Sequence, residues 1–323
     1  MTKGAVGLDN VKLDPFYIAG LSDGEATFTI SITKDNRERV TDRRVKLKEC
    51  VRVRRGDIYT VHPSFSISLS IKDIKLVYLL QSFFGIGKIK KDLSNNAITY
   101  YVNSVVDLNS VIIPFFDKYP LISQKQADFS LFKSAIKIIS QGEHLTDEGL
   151  VKIVSIKASM NKGLSEKLLT SFPDLVLADR PKVLDQEIRN NYWVTGFADG
   201  EGTFYTRIIE ATAPKSVNRV SFFFAISQSI RDKELLQKIS KFLGCGTTSE
   251  NEKYIQLRVT KFEDIKSKFI PFFNIYPMRG IKERNFRYFC IIFELVQSKA
   301  HLTRQGLDEI IRIKEGMNLR RKD

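Results

Sequence analysis

The chain has 323 residues, 43% of them hydrophobic, which is long and apolar enough for two domains with real cores and excludes a disordered polypeptide. Lys and Arg number 51 against 37 Asp and Glu, a formal charge of +14, which favours a polyanionic partner such as nucleic acid or an anionic membrane surface. No apolar run approaches the ~18 residues of a membrane span, the opening MTKGAVGLDNVKLD has neither a signal-peptide core nor an arginine-rich transit pattern, and Cys50, Cys245 and Cys290 are too few and too scattered for a disulfide framework or a zinc site.

The first predicted element is a helix over Pro15 to Gly24, with proline in its first turn and glycine near its end. It closes on the acidic pair Asp23 and Glu25. Alternation then predicts strands: Phe28, Ile30 and Ile32 are apolar between polar Thr27, Thr29, Ser31 and Thr33, and Ser64 to Ile71 repeats the pattern. Between these strands, Lys34 to Arg55 holds ten basic and four acidic residues, with Val45, Leu47, Val51 and Val53 alternating against Lys46, Lys48, Arg52 and Arg54. A long two-stranded ribbon with one cationic face is expected there. Lys72 to Phe84 has helical spacing, and Ile98 to Asn103 returns to period two. Further on, His144 precedes Leu-Thr and a helical run, so Thr146 reads as a helix N-cap and the histidine as structural.

The same elements then recur. FYIAGLSDGEATF (Phe16 to Phe28) returns as YWVTGFADGEGTF (Tyr192 to Phe204), which sets Glu201 at an offset of 176 from Glu25. SIKD at Ser70 returns as SIRD at Ser229, and Gly85-Ile-Gly87 as Gly244-Cys-Gly246. IPFFDKYP at Ile113 returns as IPFFNIYP at Ile270, and HLTxxGL at His144 returns at His301, where Thr303 takes the capping place. Two copies are too few for a solenoid, so two similar domains are expected. Residues 1–171 and 189–323 form the halves, and 172–188, from the proline-containing SFPDLVLADRPKVLDQ segment, form the link. Each half predicts a four-stranded antiparallel sheet with helices on one face, an α+β fold. The first half carries 17 extra residues between its opening strands. On the polar faces, Arg207, Arg219, Gln256 and Arg258 in the second half answer Lys34, Arg37, Arg39, Lys46, Lys48, Arg52, Arg54, Ser66 and Ser68 in the first. Such faces suit phosphates and base edges.

Gly20 and Gly24, like Gly196 and Gly200, are four apart and give each motif helix a face without side chains, which allows close helix-to-helix approach. Glu25 and Glu201 stand at the C-terminal ends of those helices, where the macrodipole disfavours negative charge. Bringing both together adds repulsion that a divalent cation relieves, with the carbonyls of Gly24 and Gly200 as companion ligands for Mg²⁺.

IAGLSDGEA (Ile18 to Ala26) and VTGFADGEG (Val194 to Gly202) resemble the two motifs of a monomeric LAGLIDADG homing endonuclease, and the similarity extends over nearly the whole chain. The resemblance implies two αββαββα units whose sheets form a saddle over double-stranded DNA. It implies catalytic acids at Glu25 and Glu201, with Asp23 and Asp199 more structural, and two or three Mg²⁺ ions at the interface between the halves. Gln228, within FAISQS, matches a glutamine of the family's catalytic core, where the first copy has Leu69; Lys125 and Lys282 resemble its basic pocket residues. A surface role for either lysine stays open. The first motif departs from the pattern in ending on Ala26 where glycine is usual.

The implied activity is a double-strand break at a long asymmetric target during intron homing, by a monomer without an obligate protein partner, in the mitochondrion. The alternatives on the same fold are an RNA maturase, with intron RNA as partner, and a DNA-binding protein that does not cleave.

Overall fold

The computed structural model describes residues 12–35, 51–54, 57–209 and 218–317. The chain folds as two compact units. Residues 12, 13 and 25–185 belong to the first; residues 14–24 belong with 186–317 to the second. The N-terminal helix is thus packed with the second copy of its own motif.

In the first unit, β1 (Ala26–Asp35) leaves directly from α1 (Pro15–Glu25), and β2 (Val51–Arg54) and β3 (Asp57–Ser70) follow. α2 (Ile74–Phe84) precedes the hairpin of β4 (Lys88–Asp92) and β5 (Ala97–Val102). α2 stops at Gly85, whose φ of 66° is the left-handed cap that glycine adopts without cost. The antiparallel order is β1-β3-β5-β4, with β2 also paired to β3, so the described residues form five strands where four were expected. The reason is the insertion: Val51 pairs with Thr60 and Arg54 with Asp57, so part of the extra length folds back on β3.

One face of this sheet is covered by helices α3 (Val105–Asp107), α4 (Ile113–Lys118), α5 (Lys125–Ser140), α6 (Asp147–Ala158) and α7 (Glu166–Ser171), with a π-turn over Leu108–Ile112. The core centres on Phe28, whose ring meets those of Phe65, Phe116, Phe129 and Phe132 at 5.3–5.5 Å. Thr146 caps α6 by accepting from the Gly149 amide, as its sequence position suggested. Beyond α7 the chain is tied back to this unit. Ser155 and Ser159 hydroxyls donate to the Val176 and Ala178 carbonyls, and Arg180 makes a two-pronged pair with Asp128 at 2.7 and 3.0 Å.

The second unit repeats the plan with α8 (Asn191–Glu201), β6 (Thr203–Ile209), β7 (Arg219–Ser229), α9 (Lys233–Leu243), β8 (Thr247–Glu250) and β9 (Tyr254–Val259). Its sheet has the order β6-β7-β9-β8. The covering helices are α10 (Phe262–Asp264), α11 (Ile270–Ile275), α12 (Lys282–Gln297) and α13 (Arg304–Glu315), again with a π-turn, Ile265–Phe269, before the IPFF segment. Phe204 takes the place of Phe28 and meets Phe224, Phe273, Phe286 and Phe289. These are the repeat partners of the residues around Phe28. An aromatic core of this size contributes mainly through buried apolar area, with roughly 0.5–1.5 kcal/mol more per well-placed ring pair. Among the described residues no helix is long and apolar enough to cross a membrane.

Candidate active site and nucleic-acid face

Within the second unit, α1 and α8 lie against each other through their glycines. A methyl group added at Gly20 would run into the Trp193 carbonyl and stand 2.9 Å from the Phe197 amide nitrogen; one at Gly196 would meet the Tyr17 carbonyl in the same way. Glycine is therefore required by space at both positions. The two helices are also joined by reciprocal hydrogen bonds. Trp193 Nε1 donates to Asp23 Oδ2 at 2.8 Å, and the Tyr17 hydroxyl donates to Asp199 Oδ2 at 2.6 Å. Tyr17 and Trp193 are repeat equivalents, as are Asp23 and Asp199. Asp199 accepts two further bonds, from the Arg279 and Gly280 amides, both at 2.7 Å. Three donors satisfy a carboxyl group that is 7% exposed, as a buried polar group requires. The upstream acid of each motif thus braces the helix pair.

Glu25 and Glu201 are the last residues of α1 and α8. Both are half-buried, unlike the aspartates two positions earlier. Helix α1 passes so close to the end of α8 that a Cβ on Gly24 would lie 3.1 Å from Glu201 Cγ. Lys282 Nζ donates to the Gly200 carbonyl. Lys282 is the first residue of α12, where the helix dipole opposes a cation, while its ammonium reaches the carbonyl end of α8, where the dipole favours one. Lys125 opens α5 in the same way. Neither position favours its own helix, so helix stability does not account for a lysine there.

Oxygen ligands fit a hard cation. Glu201 and the Gly200 carbonyl supply carboxylate and carbonyl oxygen, the ligand type that hard divalent cations take. Among the described residues no group of three or more His, Cys, Asp or Glu is gathered that could hold a metal ion. Cys245 is buried, and desolvation pushes its thiol up to about 11 and that of Cys290 up to about 12. Cys50 lies outside the described residues.

The register decides which polar residues share the uncovered face of each sheet. In the second unit Arg207 stands opposite Ser221 and Arg219 opposite Ile209, all on the side away from Phe204 and Phe224. Across β7, β9 and β8, Ala225, Arg258 and Thr247 form one row and Ser227, Gln256 and Ser249 the next. All four residues expected on this face are on it. In the first unit Ser66 and Ser68 are on the uncovered face, Ser68 Oγ lying 2.9 Å from Thr99 Oγ1.

Lys34 departs from the expectation. It pairs with buried Tyr59 and shares the parity of Ile30 and Ile32, because the polar alternation of β1 falls on Thr29, Ser31 and Thr33. Arg52 and Arg54 belong to β2, in register with Tyr59 and Asp57. Arg37, Arg39, Lys46 and Lys48 lie outside the described residues. Gln228, opposite Ile255, has the parity of Phe224 and Ile226 and is half-buried, so it belongs to the covered side of β7 and not to the Ser227 row.

A model of the LAGLIDADG endonuclease family matches residues 18–136 and 194–293. The chain belongs to the LAGLIDADG endonuclease family. "Probable intron-encoded endonuclease 3" of Neurospora crassa is 36% identical over 304 residues, which is 93% of this chain and 54% of that protein, so the chain spans about half the length of that relative. An "uncharacterized 50.9 kDa protein in ND4 intron 1" of Podospora anserina is 40% identical over 42% of this chain and 26% of its own. Among solved structures, the I-SmaMI LAGLIDADG homing endonuclease bound to cleaved DNA is 36% identical with a TM-score of 0.86, covering 97% of this chain and 100% of that one. The same enzyme bound to uncleaved DNA target with calcium ions gives 0.85 over 95% and 99%.

As a LAGLIDADG chain, this one also carries face residues that alternation around the motifs did not single out. Lys88 of β4 stands in a row with Tyr101, Ser66 and Thr27, and Lys90 in the next row with Thr99 and Ser68. Both lysines are exposed. The signal was present in KIKKD, whose first and third residues are basic, but only pairing with β5 shows which face they join. Ala26, the departure from the family pattern, is the first residue of β1 and is 3% exposed. Its counterpart Gly202 has φ −70° and ψ 145°, open to any L-residue, so glycine is called for there by space alone: a Cβ would stand 2.5 Å from the Ala198 carbonyl and 2.7 Å from the Phe224 ring.

Proposed function

We propose that the chain is a site-specific, divalent-metal-dependent DNA endonuclease that makes a double-strand break at a long asymmetric target, as in intron homing. The observation that carries this reading is the pair of half-buried glutamates ending two helices that glycines and reciprocal hydrogen bonds hold together, with a lysine on the adjoining carbonyl. A binding protein has no need for carboxylates at two helix ends where the dipole opposes them.

Glu25 and Glu201 serve as the metal-holding acids, with the Gly24 and Gly200 carbonyls beside them. Bound Mg²⁺ supplies Lewis acidity toward phosphate oxygen and makes water a better nucleophile near neutral pH. The chain's part is to hold these oxygens, and to place Lys125 and Lys282 against the negative charge that builds on phosphate as water attacks and the bond to the 3′ oxygen breaks. Gln228 is the candidate to orient the attacking water in one copy, where Leu69 stands in the other. The uncovered sheet faces hold the duplex, and their different residues give an asymmetric target. The chain acts as a monomer, with both motifs in one polypeptide. Its relation to a protein from an ND4 intron supports action in the mitochondrion.

The test is cleavage of DNA selected from a randomised duplex library with Mg²⁺. Glu25→Gln and Glu201→Gln are expected to abolish strand cleavage while DNA binding persists; full double-strand cleavage by either variant overturns the assignment. Binding without cleavage by the wild-type chain, or preference for RNA over duplex DNA, would instead place it with the non-cleaving members of the fold.

A further inference from the structure

On the uncovered face of the second sheet, three side chains form a relay. Arg258 Nε donates to Gln256 Oε1, and Gln256 Nε2 donates to Ser227 Oγ at 2.7 Å. Arg258 and Gln256 are two apart on β9 and share its exposed side, and Ser227 is the register partner of Gln256 on β7. The amide orientation follows from chemistry: guanidinium only donates, so the oxygen of Gln256 must face it and the nitrogen must face the serine. Across from Arg258 on β7 stands Ala225, too small to cover it.

The relay divides the roles of two residues that each carry a base-reading code. A free glutamine recognises adenine by accepting from N6 and donating to N7. Here the Gln256 oxygen accepts from Arg258 and one of its N–H groups donates to Ser227, so the amide is turned along the sheet and is no longer free to present its acceptor and donor together to adenine. Arg258 gives up only Nε. Its two Nη groups make no further hydrogen bond among the described residues, and the side chain is exposed. They form the end-on fork of parallel donors that matches two acceptors side by side. In the major groove only guanine presents that pair, O6 and N7; adenine sets a donor beside its acceptor, and cytosine and thymine offer a single polar edge.

We propose that Arg258 is the specificity-determining reader of one guanine in the DNA target, with Gln256 and Ser227 as positioning residues that fix its fork. This rests on the chain binding duplex DNA through its sheet faces. Fixing the fork in advance lowers the entropy lost when the base is met, and it makes the contact intolerant of adenine, whose N6–H₂ would face an N–H donor.

The experiment is selection from a randomised duplex DNA library by the full chain, sequencing bound molecules for the wild type, Arg258→Ala, Arg258→Lys and Gln256→Ala. The wild type is expected to show a guanine position whose preference falls roughly tenfold in Arg258→Ala and Arg258→Lys. The other positions keep their profile, and Gln256→Ala gives a smaller loss at that same position. Retention of the wild-type melting temperature shows that the variants are folded. An unchanged profile in Arg258→Ala overturns the proposal, as does uniform weakening at every position, which marks a phosphate contact only. A wild-type chain that selects no DNA fails the nuclease reading itself, a distinguishable result because the parent protein is then inactive in the assay.

Discussion

The indole of Trp193 donates to Asp23 at 2.8 Å, while the residue in Trp193's place in the first copy, Tyr17, donates to Asp199 at 2.6 Å. Each motif supplies the donor for the other motif's acid. A pair of helices that meet through glycines gains little side-chain packing along the seam, so the two buried bonds fix its register. The cost of breaking them is the cost of leaving a buried carboxylate short of a donor, about 1–3 kcal/mol. Tyr17→Phe is expected to lower the free energy of unfolding by about 1–2 kcal/mol, since Asp199 keeps two backbone amides. Trp193→Phe should cost more, because it also removes part of a ring stacked on Phe197 at 5.0 Å. Urea unfolding of both variants checks the order; equal, negligible losses would show the brace to be idle.

The glycine seam predicts a larger effect. Gly20→Ala or Gly196→Ala places a methyl on the opposing helix's carbonyl, which no side-chain rotation relieves. Loss of about 3 kcal/mol or more is expected, beyond ordinary overpacking because the obstacle is backbone. A shift below about 1 kcal/mol in urea unfolding would mean that the helices separate readily.

Arg180 ties the segment after α7 to α5 through Asp128, and it also donates to the Ser159 and Gln124 carbonyls. The hydrogen bonds to Asp128 push the guanidinium pKa up. Arg180→Ala is expected to cost about 2 kcal/mol, measured by urea unfolding. Arg180→Lys should recover only part of this, because an ammonium lacks the fork that spans both carboxylate oxygens. Full recovery by lysine would make charge alone sufficient.

Lys88 and Lys90 are expected to meet phosphate. Replacing both by alanine should weaken DNA binding across all sequences and reduce the slope of log K against log salt by roughly 1 for each phosphate that is no longer neutralised. Titrations at several salt concentrations read this directly, and an unchanged slope moves the lysines away from the duplex.

His144 supplies a pH dependence. The imidazole is buried, and desolvation pushes its pKa down from the ordinary 6.5. A base with a depressed folded pKa binds protons first in the unfolded state. Its contribution is therefore intact above about 6.5 and declines as pH falls from there toward the folded-state value. Urea unfolding at pH 7.5 and pH 5 should show this loss, and His144→Leu should lessen it. An acid-side decline unaltered by the substitution would assign it to other groups.

Much of the fold can be traced to local sequence. Thr146 and Thr303 cap their helices by accepting from the Gly149 and Gly306 amides because a hydroxyl before a helical run has those free N–H groups within reach. The period-two runs around Phe28, Phe65, Phe204 and Phe224 form strands because one face can be buried. Lys34 misses its expected face because the expectation of a cationic ribbon rests on charge, while the alternation of β1 runs on unbroken through it and gives it the parity of Ile30 and Ile32. The extended run at Val51–Arg54 is legible in its alternation, but its pairing with β3, which makes it a fifth strand of the sheet, depends on a fold-back that composition does not encode.

The sequence by itself determined the duplication, the buried faces of the strands around Phe28, Phe65, Phe204 and Phe224, and the pair of acids that end the motif helices, since these are matters of repetition and short-range periodicity. Only the tertiary structure decided that Tyr17 and Trp193 serve each other's aspartates, that Lys282 reaches the Gly200 carbonyl, that Lys88 and Lys90 join the polar face, and that Gln256 holds Arg258 instead of pointing freely. Each of those depends on residues far apart in the chain whose donors and acceptors meet only when packing brings their elements together.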